Sequence, residues 1–374
     1  MKKTKLLVAL FSLLFFIMTL TPVYSTVKIV EKEKHEIDFY GFFKFDATYQ
    51  DNPMNSLVAP RYAKFGDGNY TNFTAINSRF GLKLSGLEIG NGWKVNGNFE
   101  FDLFDASSRN QMKLRTRHAY FCLSKGNSSF LAGQYWDLFS PIGPTTLMTN
   151  GYLWNVGNLG FRRAQIRYTY TYSNISFAIS LNDPTSNGAI ETGLPLIQAR
   201  AGLKVGNNGK YKVGISGAYG KEHNTETQLV YENDVNIIGL GIDWIIPFTD
   251  CLTIKGEFGI GKNLSIFLSR SNVYNNTINR EFEGKKVMSF WSELLYKVKK
   301  INIWLGYSFE NLTDENQLST GSLKDTSCIL SGIKYTLGKG VSFGLEYAHF
   351  LSKHLDLENK AKTNQLILSA IYSF

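Results

Sequence analysis

Arg79 and Lys83, Arg115 and Arg117, Arg163 and Arg167, and Arg200 and Lys204 form four pairs of bases, each separated by an even number of positions. In an extended chain that spacing sends both members of a pair to one face. A guanidinium presents a planar fork that holds a carboxylate or phosphate through two parallel bonds. Only Asp46, Glu100 and Asp102 stand as facing acids, three against eight bases. A surplus of one sign in a narrow cleft with low-dielectric walls attracts the opposite ion. The plainer reading of the same residues is that a carboxylate neutralises every arginine and the pairs brace a wall.

Covalent and metal chemistry find little support. Gly256 to Lys262 has the spacing of a phosphate-cradling loop, but Asn263 stands where serine or threonine should follow, and that motif needs a strand turning into a helix. No HExxH occurs, and His349 and His354 are five positions apart, one too many for a helical metal pair. His118 beside Arg117 reads as a wall or girdle residue. Cys122, Cys251 and Cys328 are few, odd in number and far apart, so neither a disulfide framework nor a metal site is indicated, and they read as wall residues. The pattern calls for no cofactor, no metal, no nucleic-acid partner and no enzymatic centre.

The elements that must position the bases are strands. Ile37, Phe39, Gly41, Phe43, Phe45, Ala47 and Tyr49 share one face, and Asp38, Tyr40, Lys44, Asp46 and Thr48 the other. Period two sustained this long is a strong strand signal. Similar segments begin near residues 77, 93, 113, 129, 162, 175, 196, 211, 234, 251, 285, 301, 326, 341 and 364, about sixteen in all. Their length suits a bilayer crossing at ~45° tilt rather than the strands of about five or six residues in a soluble sandwich. Tyr168, Tyr170 and Tyr172 gather next to a short turn, as in an interfacial girdle.

The connections alternate in length. Glu88 to Gly92, Lys125 to Ser128, Ser173–Asn174, Gly206 to Lys210, Pro247 to Asp250, Lys297 to Lys300 and Gly338 to Gly340 are short. Gln50 to Ile76, Phe139 to Phe161, Asp183 to Pro195, Lys221 to Asn233, Lys262 to Gly284, Asn311 to Asp325 and Ser352 to Thr363 are long. Short periplasmic turns and long extracellular loops are the asymmetry of an outer-membrane barrel. The expected fold is all-β, a transmembrane antiparallel β-barrel of about sixteen strands. With the more polar face turned inward, the four base pairs fall on the second, fourth, sixth and eighth strands. These run in the same direction, so the bases form a band at one depth.

Both ends of the chain agree. Lys2, Lys3 and Lys5 precede the apolar run Leu6 to Leu20, and Val23 and Ser25 offer a cleavage site, so residues 1–25 read as a secretory signal peptide. The run is shorter than the ~20 apolar residues of a spanning helix. Loss of its three lysines lowers the formal net charge from +9 to +6. Residues 26–36 then form a short periplasmic segment and residues 37–374 the barrel. The last strand ends on Tyr372 and Phe374, the terminal aromatic of an assembly signal for the barrel-assembly machinery. The expected location is the outer membrane of a diderm bacterium, among its lipid and lipopolysaccharide.

Tyr40 to Asp46, Ser78 to Lys83, Leu114 to Tyr120 and Leu131 to Phe139 resemble the DcaP-like group of trimeric outer-membrane porins, most clearly over residues 38 to 172. The resemblance implies sixteen strands, a homotrimer and passage of small, often anionic solutes. Members of that group can carry a longer helical extension before the barrel, for which residues 26–36 leave little room. By the same resemblance, Phe139 to Phe161 folds into the lumen and narrows it. The loop has no charged residue but carries Leu147, Met148, Tyr152, Leu153, Trp154 and Val156, too apolar a set to lie free in water. Packed on the inner wall it would leave bases on one side of a constriction and apolar surface on the other, suited to aromatic or short-chain carboxylates. Contact of the loop with a neighbouring subunit, a barrel enzyme, and a structural or adhesive barrel without a channel are the competing readings.

Overall fold

An alternating strand buries neither face by itself, and its N–H and C=O groups need a neighbour on each side. The computed structural model describes residues 27–32, 35–105, 112–184, 190–191, 193–206, 209–226, 231–271, 273–276 and 281–374. In it the chain satisfies both needs with a closed barrel of sixteen antiparallel strands. These are β1 (His35–Gln50), β2 (Arg79–Ile89), β3 (Trp93–Asp102), β4 (Arg115–Lys125), β5 (Ser128–Trp136), β6 (Arg162–Tyr172), β7 (Ile175–Asn182) and β8 (Leu196–Val205). Then follow β9 (Tyr211–Glu226), β10 (Tyr231–Pro247), β11 (Leu252–Lys262), β12 (Lys286–Val298), β13 (Ile301–Leu312), β14 (Leu323–Gly338), β15 (Val341–His354) and β16 (Ala361–Ser373). Each pairs with the next, and β1 pairs with β16 from Phe42↔Ser373 to Gln50↔Gln365, which closes the sheet. Outward positions such as Phe43, Phe45, Ile166, Phe177, Ile215 and Leu305 are exposed and apolar. Inward neighbours such as Lys44, Asp46, Thr48 and Gln50 are buried and polar.

Several connections are more ordered than length alone suggests. Tyr70–Thr74, inside the first long connection, pairs with the upper half of β1, while β2 takes its lower half. Val27–Lys32 pairs with the start of β1, so strand rather than coil occupies that part of residues 26–36. Ile190–Glu191 adds a short strand against β9, and Val273–Asn276 pairs with Glu281–Gly284 as a separate hairpin. The expected long connection from Lys221 to Asn233 is shorter, because β9 and β10 stay paired as far as Glu226↔Tyr231. The expected signal peptide lies outside the described residues. Cys122 and Cys328 are in the wall as expected, but Cys251 is an exposed residue of the turn before β11. Gly256 to Lys262 lies inside strand β11.

The two-residue turn between β14 and β15 shows how tightly the short ends are specified. Lys339 and Gly340 both have positive φ, 47° and 79°, the geometry whose twist matches the flanking strands. A Cβ at Gly340 would lie 1.9 Å from the Ser373 carbonyl oxygen. Gly340→Val is therefore expected to cost roughly 1–3 kcal/mol. The check is the temperature or urea concentration at which the folded band disappears from a semi-native gel, with Lys339→Asn, which tolerates the left-handed backbone, staying near wild type.

Candidate functional site: a basic cavity beneath an inserted loop

Residues 137–161, between β5 and β6, enter the barrel and pack against the inner face of β12–β16. Leu147 (3% exposed), Met148 (2%), and Tyr152, Leu153 and Val156 (each 0%) are buried. They form one cluster with Trp291, Trp304, Cys328, Leu330, Ala348, Phe350 and Ile367. Glycines on the wall open the space: a Cβ on Gly306 or Gly344 would come within 2.7 Å of Leu153 or Leu147.

A loop buried this way must find partners for its backbone N–H groups, and three inward glutamates provide them. Glu257 on β11 accepts from the Ile142 N–H (2.6 Å), Asn158 Nδ2 (2.8 Å), Trp291 Nε1 (2.9 Å) and the Ser140 hydroxyl. Glu293 on β12 accepts from the Thr145 N–H (2.9 Å) and pairs with Lys255 Nζ (3.0 Å). Glu346 on β15 accepts from the N–H groups of Leu147 (2.8 Å) and Met148 (3.0 Å) and from Trp304 Nε1 (2.8 Å).

Two further segments fold inward at the mouth. In the first long connection the Ala63 N–H donates to Ser352 Oγ (2.9 Å), and Thr326 and Thr363 donate to the carbonyls of Arg61 (3.2 Å) and Pro53 (3.1 Å). In the stretch after β11, Phe267 meets Phe139 edge-on at 4.8 Å, and Arg61 donates to the Leu268 carbonyl.

Between these segments and the inner wall near the outer ends of β1–β6 lies a cavity of about 460 Å³. Arg79, Arg115, Arg117 and Arg162 line it, together with Trp136 and Trp154. Arg115 forms a two-pronged bond to Asp102 (2.9 and 2.6 Å). Arg117 bridges Glu100 (2.7 Å) and Asp102 (2.9 Å), and Arg79 Nε stands 3.6 Å from Glu100. A register shift opposite Glu100 and Phe101 makes Arg117 a bulged residue, so Arg117 and His118 both turn inward from adjacent positions. Arg162 lies over the Trp136 ring at 4.5 Å, and Trp136 stacks on Trp154 at 5.6 Å. The carboxylates are buried while the Arg79 and Arg115 side chains remain 22% and 31% exposed. Four guanidiniums against Glu100 and Asp102 leave two positive charges bordering the cavity.

The other expected residues are distributed differently. Arg163 is buried and bound to Asp137 (2.8 Å) and the Ile266 carbonyl (2.9 Å), so it braces the wall. Arg200 forms a two-pronged bond to Asp243. Asp46 is held by Lys44, Asn77 and Ser369, away from the band. Lys83, Arg167 and Lys204 lie deeper along their strands. Leu147, Met148 and Tyr152 are underneath the loop, so the face toward the bases, expected to be apolar, is instead polar apart from Trp154, formed with Thr145, Thr149 and Asn150. Their burial on the Trp291 and Trp304 wall consumes the apolar surface. The Phe374 N–H donates to the Gly41 carbonyl (3.1 Å) and its ring contacts Phe39 and Phe43, while Tyr372 is exposed outward. Arg162 went unrecognised because strict alternation sends it outward with Ala164 and Ile166. Glu257, Glu293 and Glu346 went unrecognised as anchors, although each is an acid at an inward position of its strand.

Residues 32–355 match the family described as Gram-negative porin. No curated protein sequence matches the chain. Among solved structures, the outer membrane channel DcaP of Acinetobacter baumannii is 19% identical, covers 95% of this chain and 100% of its own, and superposes with a TM-score of 0.76. An anion-selective porin from Comamonas acidovorans is 13% identical, covering 91% of this chain and 100% of its own, with a TM-score of 0.60. OmpT of Vibrio cholerae in its trimer form is 12% identical, covering 91% and 100%, with a TM-score of 0.58. The architecture is shared with all three.

Removal of the Glu346 carboxylate would orphan two loop N–H groups and an indole donor at a cost of about 1–3 kcal/mol each. Glu346→Ala is therefore expected to loosen the loop, seen as current flicker in single channels and as chymotryptic cleavage at Tyr152 or Trp154. Glu346→Gln retains an acceptor and should show less of both.

Proposed function

The chain belongs to the Gram-negative porin family and resides in the bacterial outer membrane, and from that premise we propose that it is a water-filled diffusion channel for small hydrophilic solutes that favours anions, carboxylates among them. The observation that supports the preference is the cavity wall, where Arg79, Arg115 and Arg162 border open space while Arg117 is buried with the two carboxylates. Rings of positive side chains in a pore favour anions. The opposite wall adds little negative field, because donors from the inserted loop surround Glu257 and Glu346 and Lys255 pairs with Glu293.

A channel is preferred over a barrel enzyme on the chemistry of these groups. Guanidiniums orient and hold anions, but stay protonated and are poor bases or nucleophiles. Arg79, Arg115, Arg117 and Arg162 act as the selective groups, Trp154 narrows the passage, and Arg163, Arg200, Asp46, Glu100 and Asp102 keep the wall rigid. The proposal includes export by cleavage after residue 25, membrane assembly directed by Tyr372 and Phe374, and association as a homotrimer, in keeping with the trimer form of Vibrio cholerae OmpT.

The test is the reversal potential of single channels under a potassium chloride gradient. Wild type should be anion-selective, and Arg79→Gln plus Arg162→Gln should lower the anion-to-cation permeability ratio by about threefold or more. Arg115→Ala, which leaves Asp102 with one partner fewer, should lower it further. A cation-selective wild type, or the absence of conductance, overturns the proposal.

A further inference from the structure

Deeper than the cavity, the inner wall of β1–β6 carries cations that the selective cluster does not use. Lys83 lies four residues beyond Arg79 on β2, and Arg167 five beyond Arg162 on β6, both strands running toward the short turns. Neither forms an ion pair among the described residues. Asp38 sits opposite Lys83 on the ladder without bonding to it, and Asp137 is held by Arg163 and Gln198.

Each cation instead lies against a tyrosine, and Arg167 also donates to Gln165 Oε1 (2.9 Å) and to the Trp136 carbonyl. Lys83 Nζ is 4.8 Å from the Tyr40 ring centre, and the Arg167 guanidinium is 5.3 Å from that of Tyr135. Tyr120 meets Tyr135 edge to face at 4.7 Å. The strand registers place Lys83, Asn98, Tyr120, Gly133 and Gln165 in one row across β2–β6. Glycines keep the rings where they are: a Cβ on Gly81 would come within 2.4 Å of the Tyr40 ring, and Gly133 leaves the position beside Tyr120 without a side chain. Lys83 is exposed, and Tyr40, Tyr120, Tyr135 and Arg167 are partly so.

A cation held by a ring face and neutral acceptors, rather than by an acid, keeps its charge available to a passing anion. Tyrosine edges and faces add a surface on which a flat apolar body can stack. We propose that Lys83, Arg167, Tyr40, Tyr120 and Tyr135 form a second anion station on the periplasmic side of the cavity, one that retains anions with a flat apolar body over small anions of equal charge. An anion leaving the arginine cluster then finds a second counter-charge along the same wall. This inference rests on the anion-channel reading above.

Benzoate and acetate provide the test, each added to one side of single full-length channels in a planar bilayer. A bulky maleimide that reacts at the exposed Cys251 and changes the current marks the periplasmic chamber. In wild type, benzoate from that chamber should interrupt the current and acetate should not. Lys83→Gln plus Arg167→Gln should shorten the benzoate interruptions from that side about tenfold, leaving those from the other side within about twofold. Tyr135→Leu, which keeps both charges, should shorten them also and serves as the independent variant. Unchanged interruptions in an anion-selective channel would overturn the station alone, as would equal interruptions by acetate. A cation-selective wild type would overturn the anion reading beneath it.

Discussion

Pairing of Phe42–Gln50 with Gln365–Ser373 is the contact on which the rest of the molecule depends. In hydrocarbon an unpaired N–H or C=O costs several kcal/mol, so a spanning sheet must have no free edge. Once the first and last strands meet, parity assigns the side chains to one of two solvents, except where a bulge interrupts it. Odd positions of β1, such as Phe43 and Phe45, face lipid, and Lys44 and Asp46 face a space of limited volume. The N-terminal strand Val27–Lys32 and the Phe374 backbone both bond to the start of β1, which secures the seam at its lower end.

That enclosed space is divided chemically. The inner face of β12–β16 carries an apolar patch of Trp291, Trp304, Leu330 and Phe350, which takes the apolar side of the inserted loop. Hydrophobic burial brings the loop to the wall, but it is non-directional. The glutamates of β11, β12 and β15 supply the direction, since each accepts hydrogen bonds at defined positions along the loop. The same bonds surround those carboxylates with donors. The charge they would have set against the arginines is thereby largely offset.

The inner face of β1–β6 keeps its cations in two ways. Near the mouth, Arg115 is fixed by a two-pronged bond to Asp102 with part of its guanidinium open to the cavity, and the buried Arg117 bridges Glu100 and Asp102. Elsewhere Arg162 and Lys83 lie against Trp136 and Tyr40, and Arg167 against Tyr135 with Gln165 and the Trp136 carbonyl as neutral acceptors, partners that orient a charge without cancelling it. Rigidity and residual charge thus come from different partners on one wall.

Strand number, direction, the alternation of short and long connections, and the placement of bases on β2, β4, β6 and β8 were legible in the sequence, because they depend on period two and on turn residues, which are local. The insertion of 137–161 was implied by family resemblance and by the absence of charge in an apolar loop. What the sequence could not supply was which inward charges cancel. Arg163 and Arg200 look equivalent to Arg115 until Asp137 and Asp243 are brought beside them, and Arg117 and His118 share the inner face only through a bulge that alternation does not reveal. The three loop-holding glutamates count as lumen acids by parity, yet lie 99 to 199 residues from the loop groups they bind. Parity is a property of the local backbone, whereas net charge at a point in the lumen is decided by contacts between distant segments, and those exist only after the barrel has closed.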